Sequence, residues 1–192
     1  MPAPTIVFDL DGTLIDTAPD LIDTLNAILA RHDVEPVAFE TARTMIGAGV
    51  KPLLQRALAS RGRQLSPEAI DRLFAEYLEV YAAHIADRSR PFPGLEPALD
   101  ALAASGCRLA VCTNKLEWLS VKLLKELGLA QRFATICGQD TFTMRKPDPD
   151  MLRLTIARAG GDTGHALMVG DSMTDVATAA KRAKSRQPRL SR

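Results

Sequence analysis

The sequence lacks the features that are typical of membrane proteins, of secreted proteins and of proteins with a structural zinc site. Aromatic residues make up only 5% of its 192 residues, and its three cysteines contain no Cys-x-x-Cys pair. An odd number of cysteines without that spacing argues against both a disulfide framework and a zinc site. No apolar run approaches the length that crosses a bilayer, and the chain does not begin with a basic stretch followed by a long apolar one. We therefore expect neither a membrane span nor a signal peptide.

A strong charge of either sign is also lacking. The formal net charge is +1 at pH 7, so no global field would attract nucleic acid or an anionic membrane. Apolar residues make up 46% of the chain and charged residues 24%, which is the balance of a globular protein with a sizeable core. Together with the unpaired cysteines, this composition predicts a cytoplasmic protein that binds neither nucleic acid nor a membrane.

The first half of the chain is dominated by helical patterns. A β-branched apolar run over residues 5–8 predicts a strand that is buried on both faces. Residues 16–90 then show helical periodicity, with no strand predicted among them. The segment Pro91-Phe92-Pro93-Gly94 breaks this pattern and is typical of a boundary.

Strands and helices alternate after this boundary. Apolar runs predict strands over residues 108–112, 134–137 and 166–169, each separated from the next by a helical pattern. Such alternation is typical of a parallel sheet with helical crossovers. The predicted fold is therefore α/β, with a Rossmann-like parallel-sheet core of residues 1–15 and 91–192 and an inserted all-helical domain of residues 16–90.

Polar side chains gather where the predicted strands end, which is where open parallel sheets bind ligands. The candidate residues there carry four carboxylates, a hydroxyl, an amide and an ammonium group: Asp9, Asp11, Thr113, Asn114, Lys146, Asp171 and Asp175. Four carboxylates in a small volume repel one another strongly unless a cation lies among them. Oxygen ligands favour a hard ion, and Mg²⁺ is the usual one beside a phosphate. The pattern therefore predicts a Mg²⁺ site in which Lys146 and Thr113 hold phosphoryl oxygens.

Each motif taken alone also has a purely structural interpretation. The stretch Asp9 to Thr13 is compatible with a turn at a strand end, since Asp and Gly are common turn residues. Thr113-Asn114 and Gly170-Asp171-Ser172 are both typical of helix N-caps, and a lone lysine such as Lys146 is usually solvated. The order of all four motifs, three of them at strand ends, favours the chemical interpretation.

These motifs resemble those of the haloacid dehalogenase superfamily. Its four motifs are similar, in order, to Asp9-x-Asp11-Gly12-Thr13, Thr113, Lys146 and Gly170-Asp171-Ser172-x-x-Asp175. The helical insertion after the first motif resembles the type 1 cap of the superfamily. Within it, Arg43-x-x-Ile46-Gly47-x-Gly49 and Arg145-Lys146-Pro147-x-Pro149 look most like phosphoglycolate phosphatases.

The resemblance implies a role for each residue at the strand ends. Asp9 attacks phosphorus and forms an aspartyl-phosphate, while Asp11 protonates the leaving alkoxide and then activates water. Thr113, with Asn114 beside it, binds a phosphoryl oxygen. Lys146 stabilises both the phosphate and Asp9.

The metal and substrate assignments follow from the same resemblance. Asp9, the backbone carbonyl of Asp11, and Asp171 ligate Mg²⁺, and Asp175 belongs to the metal site by orienting either the other ligands or Lys146. Arg43, in the helical insertion, is a candidate partner for a substrate carboxylate. A solvated helix arginine is an equally good interpretation of Arg43.

The resulting prediction is a Mg²⁺-dependent phosphomonoester hydrolase that acts through an aspartyl-phosphate on phosphoglycolate or a similar small phosphorylated metabolite. Two alternatives stay open. One is a sugar-phosphate mutase of the same superfamily, and the other is a truncated, inactive phosphate-binding module. Asp11 argues against a dehalogenase, because the dehalogenases of the superfamily lack this second aspartate.

The C-terminal residues depart from the superfamily's pattern. No β-branched run follows Asp175, so the strand that comes after the last motif in similar proteins is predicted to be missing, through truncation or a frameshift. Residues 181–192 are basic and have little apolar surface to offset their ordering entropy, which predicts a disordered tail. The strand over residues 166–169 would then form an exposed edge, which predicts lower stability and either a monomer or a weak homodimer.

Overall fold

A four-stranded parallel sheet forms the centre of the fold. The computed structural model describes residues 3–184, whose strands are β1 (Thr5–Phe8), β2 (Ile15–Asp16), β3 (Arg90–Pro91), β4 (Arg108–Cys112), β5 (Thr135–Cys137) and β6 (Ala166–Val169). The order β5-β4-β1-β6 places β1 inside the sheet, between β4 and β6. Phe8, at the end of β1, lies in register with Val111 and Val169. The residues that follow these three strands therefore meet at one edge of the sheet.

The α-helices fall into two groups of four. Those of the described residues are α1 (Ala18–Arg31), α2 (Phe39–Arg43), α3 (Val50–Ser60), α4 (Pro67–Ala83), α5 (Leu95–Ala104), α6 (Glu117–Glu126), α7 (Pro149–Arg158) and α8 (Met173–Lys184). The first four follow one another directly, and the last four alternate with strands. Side chains cap two of these helices, because Ser66 accepts a hydrogen bond from the Ala69 amide at 3.3 Å and Asp148 accepts one from the Asp150 amide at 2.9 Å.

The predicted parallel-sheet fold is confirmed, with one correction at the ends of the helical stretch. β2 and β3 form a short antiparallel pair, in which Ile15 faces Pro91 and Asp16 faces Arg90. The prediction that residues 16–90 contain no strand is therefore wrong at their first and last residues. A two-residue strand shows no periodicity of its own, so only the folded chain reveals this pairing. The pair joins the points where the chain enters and leaves the four-helix stretch.

Helices α1 and α4 pack against each other through their apolar faces. Leu25 and Ile28 of α1 and Tyr77 of α4 are all fully buried. Burying an apolar side chain of this size stabilises the fold by about 1.5–3 kcal/mol. The Tyr77 hydroxyl donates a hydrogen bond to the Leu21 carbonyl at 2.9 Å, which satisfies its polar end inside this core.

β6 is the outermost strand on its side of the described sheet. It pairs with β1, and Leu167 on it is 59% exposed. This agrees with the predicted exposed edge. Residues 181–184 continue α8 and do not begin a disordered tail, whereas the rest of that tail, including the expected missing strand, lies outside the described residues. None of the helices in the described part of the chain is both long and apolar enough to cross a membrane.

Candidate active site

Asp9 lies at the tip of the central strand and is almost fully buried. Its amide donates to the carbonyl of Val169, the last residue of β6, at 2.9 Å, which continues the pairing with β6 one residue beyond the end of β1. Its Oδ1 accepts hydrogen bonds from the Leu10 amide at 2.7 Å and from Nζ of Lys146 at 2.8 Å. Burial raises the pKa of Asp9 to about 6, although the Lys146 ammonium lowers it. At neutral pH the Asp9 carboxylate is therefore mostly ionised and held by two donors.

Lys146 reaches this carboxylate from the loop that precedes α7. It is 3% exposed, and its Nζ lies 2.6 Å from Oδ1 of Asp175 and 2.8 Å from Oδ1 of Asp9. Burial lowers the pKa of Lys146, but the two carboxylates raise it further, so the net pKa lies above its ordinary value. The ammonium group is therefore charged, and the interpretation of Lys146 as a solvated lysine is wrong.

Asp171 and Asp175 form a group of three carboxylates with Asp9. One carboxylate oxygen from each lies within 4.8 Å of the others, which is close enough for one ion to bind all three. The Thr13 hydroxyl donates to Oδ1 of Asp171 at 2.8 Å, and the Ser172 hydroxyl donates to Oδ2 of Asp175 at 2.6 Å. These hydrogen bonds orient the two carboxylates. An oxygen-only donor set of this kind fits Mg²⁺ or another hard divalent cation.

The carboxylate of Asp11 is held by different partners. Nζ of Lys115 lies 2.9 Å from its Oδ1 and 3.1 Å from its Oδ2, and the Thr17 hydroxyl donates to Oδ1 at 2.7 Å. Among the described residues, the three-carboxylate group does not include Asp11. Its predicted contribution to the metal site was through the backbone carbonyl, and it stays a prediction. Two donors thus fix the Asp11 carboxylate in a cavity that it shares with Asp9.

Thr113 and Asn114 form the tip of β4, beside the loop that carries Lys146. Thr113 is 1% exposed, and the Asn114 amide donates to the Lys146 carbonyl at 3.3 Å. The Asn114 side-chain oxygen is buried and accepts no hydrogen bond from the described part of the chain. The residue at the N-cap of α6 is Leu116, so the interpretation of Thr113-Asn114 as a helix cap is wrong. The structure places both residues next to the catalytic candidates.

Arg43, which comes from the helical stretch, lines a cavity at the same edge of the sheet. A polar cavity is lined by Arg43 at the end of α2 and by Asp9, Asp11 and Asp171 at the edge of the sheet. The structure therefore brings the predicted cap arginine into one cavity with the carboxylates. This placement is what an interaction between Arg43 and a substrate carboxylate requires.

Sequence reasoning missed two residues that bind Asp11. Lys115 directly follows Thr113-Asn114, and its position at a strand end was the available signal. Thr17 precedes α1, where a threonine is usually read as an N-cap. The structure instead shows no side-chain cap at α1, and the Thr17 hydroxyl donates to Asp11. Both contacts depend on how the side chains are oriented, which spacing along the chain does not reveal.

Comparison with known proteins is consistent with this geometry. The family model described as haloacid dehalogenase-like hydrolase matches residues 6–186. The phosphoglycolate phosphatase of Mesorhizobium japonicum is 49% identical over 179 residues, which span 93% of this chain and 79% of that protein.

Two solved structures share both the fold and some of the sequence. The crystal structure of a predicted phosphoglycolate phosphatase from Haemophilus somnus has a TM-score of 0.84 and 28% identity, and the match covers 94% of this chain and 82% of that one. The structure of CbbY from Rhodobacter sphaeroides in complex with phosphate has a TM-score of 0.78 and 25% identity, and covers 95% of this chain and 84% of that one.

Proposed function

Since this chain belongs to the haloacid dehalogenase-like hydrolase family and is one of its phosphatases, we propose that it hydrolyses phosphoglycolate with Mg²⁺ through an aspartyl-phosphate. The observation that carries this proposal is the buried Asp9 carboxylate, which contacts Lys146 and forms one group with the carboxylates of Asp171 and Asp175. The name of the similar Mesorhizobium protein supports the choice of substrate. A phosphate monoester of another small metabolite would use the same chemistry.

The reaction proceeds in two displacements at phosphorus. A carboxylate oxygen of Asp9 forms a bond to phosphorus while the ester bond to the leaving oxygen breaks, and Asp11, which enters this step protonated, gives its proton to that oxygen. Asp11 then takes a proton from water, whose oxygen attacks the phosphoryl group and releases phosphate from Asp9. Lys146 stabilises the charge of the phosphoryl oxygens, and Thr113 donates a hydrogen bond to one of them.

The metal assignment is supported by the balance of charge in the site. Around the nucleophile three carboxylates face one ammonium group, an excess of two negative charges that one divalent cation offsets: Asp9, Asp171 and Asp175 against Lys146. Asp9 and Asp171 would hold Mg²⁺ together with the Asp11 backbone carbonyl, and Asp175 would orient the site through Lys146. When bound, Mg²⁺ supplies the positive charge that draws a phosphate dianion toward an anionic nucleophile.

The helical stretch supplies the substrate specificity in this proposal. We assign residues 1–15 and 91–192 to a catalytic core domain and residues 16–90 to a cap domain that covers it. Arg43 lies in the polar cavity between these two parts, where its guanidinium would bind the carboxylate of phosphoglycolate through paired hydrogen bonds.

The cellular setting and the assembly stay predictions. All three cysteines are free thiols, which supports a reducing compartment such as the cytoplasm. The exposed edge of β6 is compatible with either a monomer or a weak homodimer. Sedimentation over a range of protein concentrations distinguishes the two.

The decisive experiment measures Mg²⁺-dependent hydrolysis of p-nitrophenyl phosphate by the native chain and by Asp9→Asn. We expect the native chain to be active with Mg²⁺ and inactive with a chelator, and Asp9→Asn to lose about 10³-fold or more in kcat because it removes the nucleophile. A phosphorylated intermediate on Asp9, trapped with hydroxylamine or borohydride, identifies the aspartyl-phosphate. Asp71→Asn is the matched control, since Asp71 is an exposed aspartate of α4 paired with Lys51.

Three results would contradict the proposal in different ways. A folded native chain without activity favours the phosphate-binding module. Transfer of phosphate between positions of glucose 1-phosphate, detected by product analysis, favours the mutase. Equal activity of Asp9→Asn and the native chain removes Asp9 as the nucleophile. A panel of phosphorylated metabolites then tests whether phosphoglycolate is preferred.

A further inference from the structure

Lys115 is a buried lysine that the four motifs do not account for. Its side chain is only 4% exposed, and its Nζ contacts both carboxylate oxygens of Asp11, at 2.9 and 3.1 Å. The same Nζ lies 4.8 Å from the centre of the Tyr81 ring. Lys115 comes from the tip of β4, whereas Tyr81 comes from α4. The ammonium group therefore joins the core and the helical stretch at the proposed acid/base.

A buried ammonium is stable only when its charge is compensated. Here Asp11 supplies the opposite charge, and the face of the Tyr81 ring supplies additional electrostatic stabilisation. The Thr17 hydroxyl approaches Oδ1 of Asp11 as well. Two donors from separate segments thus restrict the rotation of a carboxylate that must reach a leaving group accurately.

We propose that Lys115 is a positioning residue, which orients the Asp11 carboxyl group so that its protonated form can give a proton to the leaving oxygen, and that Tyr81 supports it. This inference rests on the proposed function, because it assigns a task to a contact of the proposed acid/base. The geometry supports it in two ways. Lys115 binds both oxygens of one carboxylate, and it lines the same cavity as Asp9 and Asp11. A displacement of about 1 Å at a reacting group lowers a rate by about 10²-fold.

The contact with Tyr81 makes this positioning depend on α4. Tyr81 is fully buried, and its ring stacks on that of Tyr77 with centroids 5.9 Å apart. Its ring is therefore fixed in the packed interior, and α4 must be seated on the core for the ring to cover the ammonium of Lys115. Replacement of the ring should misplace Asp11 in the same sense as loss of Lys115, but less severely.

The test compares leaving groups that do and do not need a proton. p-Nitrophenolate leaves as a stable anion, whereas the alkoxide of an alkyl phosphate must be protonated as it departs. The substrates are p-nitrophenyl phosphate and either phosphoglycolate or glycerol 2-phosphate, whichever the native chain hydrolyses faster. The measured quantity is kcat/KM, because it includes the steps through phosphoryl transfer to Asp9 and excludes hydrolysis of the intermediate.

We expect Lys115→Met to lower kcat/KM for the alkyl phosphate at least about tenfold more than for p-nitrophenyl phosphate. Lys115→Arg should restore part of this difference, since it keeps the charge and two donors. Tyr81→Leu should shift the ratio in the same direction by a smaller factor. Lys125→Met is the matched control, because Lys125 is an exposed lysine of α6 and should leave the ratio unchanged.

The ratio of two kcat/KM values from one preparation does not depend on the fraction of folded protein, so the test also holds for a destabilised variant. Equal losses for both substrates in Lys115→Met would mean that the lysine only stabilises the fold, and would overturn this inference alone. A native chain that hydrolyses none of the substrates would overturn the proposed function, and this inference with it.

Discussion

A methyl group added at Gly12 should disable metal binding while the fold persists. The φ angle of Gly12 is +83°, and a Cβ placed on it would lie 2.5 Å from Oδ2 of Asp171. The carboxylate is the far end of a flexible side chain, so it can retreat without moving the backbone. It would then leave the position in which the Thr13 hydroxyl donates to it at 2.8 Å. Gly12→Ala therefore displaces one predicted metal ligand selectively.

Two terms set the size of the effect. The positive φ angle destabilises an alanine by about 1–2 kcal/mol relative to glycine, and loss of the hydrogen bond from Thr13 adds about 1 kcal/mol. The distance from the added Cβ to Oδ2 of Asp171 is about 0.9 Å shorter than the 3.4 Å at which ordinary contact begins, so the carboxylate must move by about that much. A displacement of about 1 Å in an active site lowers the rate by about 10²-fold. The loss of activity should thus be much larger than the loss of stability.

Gly94→Ala is the control that separates the cost of the positive φ angle from the collision with Asp171. Gly94 has a φ angle of +82°, and a Cβ there would meet no atom within 4 Å. It carries the backbone strain without the collision. The assays are urea unfolding, Mg²⁺ binding by calorimetry, and hydrolysis of p-nitrophenyl phosphate at saturating Mg²⁺. If Gly12→Ala matches Gly94→Ala within twofold in both Mg²⁺ affinity and kcat, Asp171 does not have the assigned role.

Three further predictions concern the pH dependence, the stability and the specificity of the protein. Burial raises the pKa of metal-free Asp9 to about 6, so protonated Asp9 contributes to the stability of the fold at a pH below the unfolded pKa, and this contribution is lost as the pH rises through 6. Mg²⁺ binds the ionised form of Asp9. Calorimetry should therefore give an apparent Kd for Mg²⁺ about tenfold higher at pH 5 than at pH 7; a pH-independent Kd would contradict this. The buried Asp20 accepts hydrogen bonds at 2.6–3.1 Å from residues 88–89, so Asp20→Ala should lower the free energy of unfolding by about 2–4 kcal/mol, against at most about 1 kcal/mol for the exposed Asp23→Ala. Equal losses in urea unfolding would refute this difference. Arg43→Ala should raise the KM for phosphoglycolate about 10- to 100-fold with little effect on p-nitrophenyl phosphate, and an unaltered KM would remove Arg43 from the substrate site.

The strands and the phosphate-binding candidates could be predicted because each leaves a local signal. The apolar run at residues 5–8 identified β1, and parallel pairing then required Asp9 to lie beside the residues that follow β4 and β6. The contact between Lys146 and Asp175 at 2.6 Å is compatible with one of the two roles predicted for Asp175, that of orienting the lysine. Motif order and the geometry of parallel sheets were sufficient for these residues.

Contacts between distant segments could not be predicted in this way. The pairing of β2 with β3 involves two residues on each side, too few to show a period. Asp20 occurs in an ordinary helical pattern, and only the fold shows that it accepts hydrogen bonds from the segment that leads back to the sheet. In both cases the interaction energy arises from pairing across the fold, while sequence patterns report mainly on local structure.

Lys115 shows why this limit matters for function. A motif identifies groups that must touch the phosphate or the metal, since their chemistry restricts the residue types that fit. A group that orients Asp11, as we propose for Lys115, must only be cationic and well placed, and Lys115 contacts Tyr81 of α4 although it follows β4 in the chain. The four motifs all lie in residues 1–15 and 91–192, whereas the proposed alignment of Asp11 also involves Tyr81 of the helical stretch. Substitutions in α4 should therefore alter the proton-transfer step without touching any motif residue.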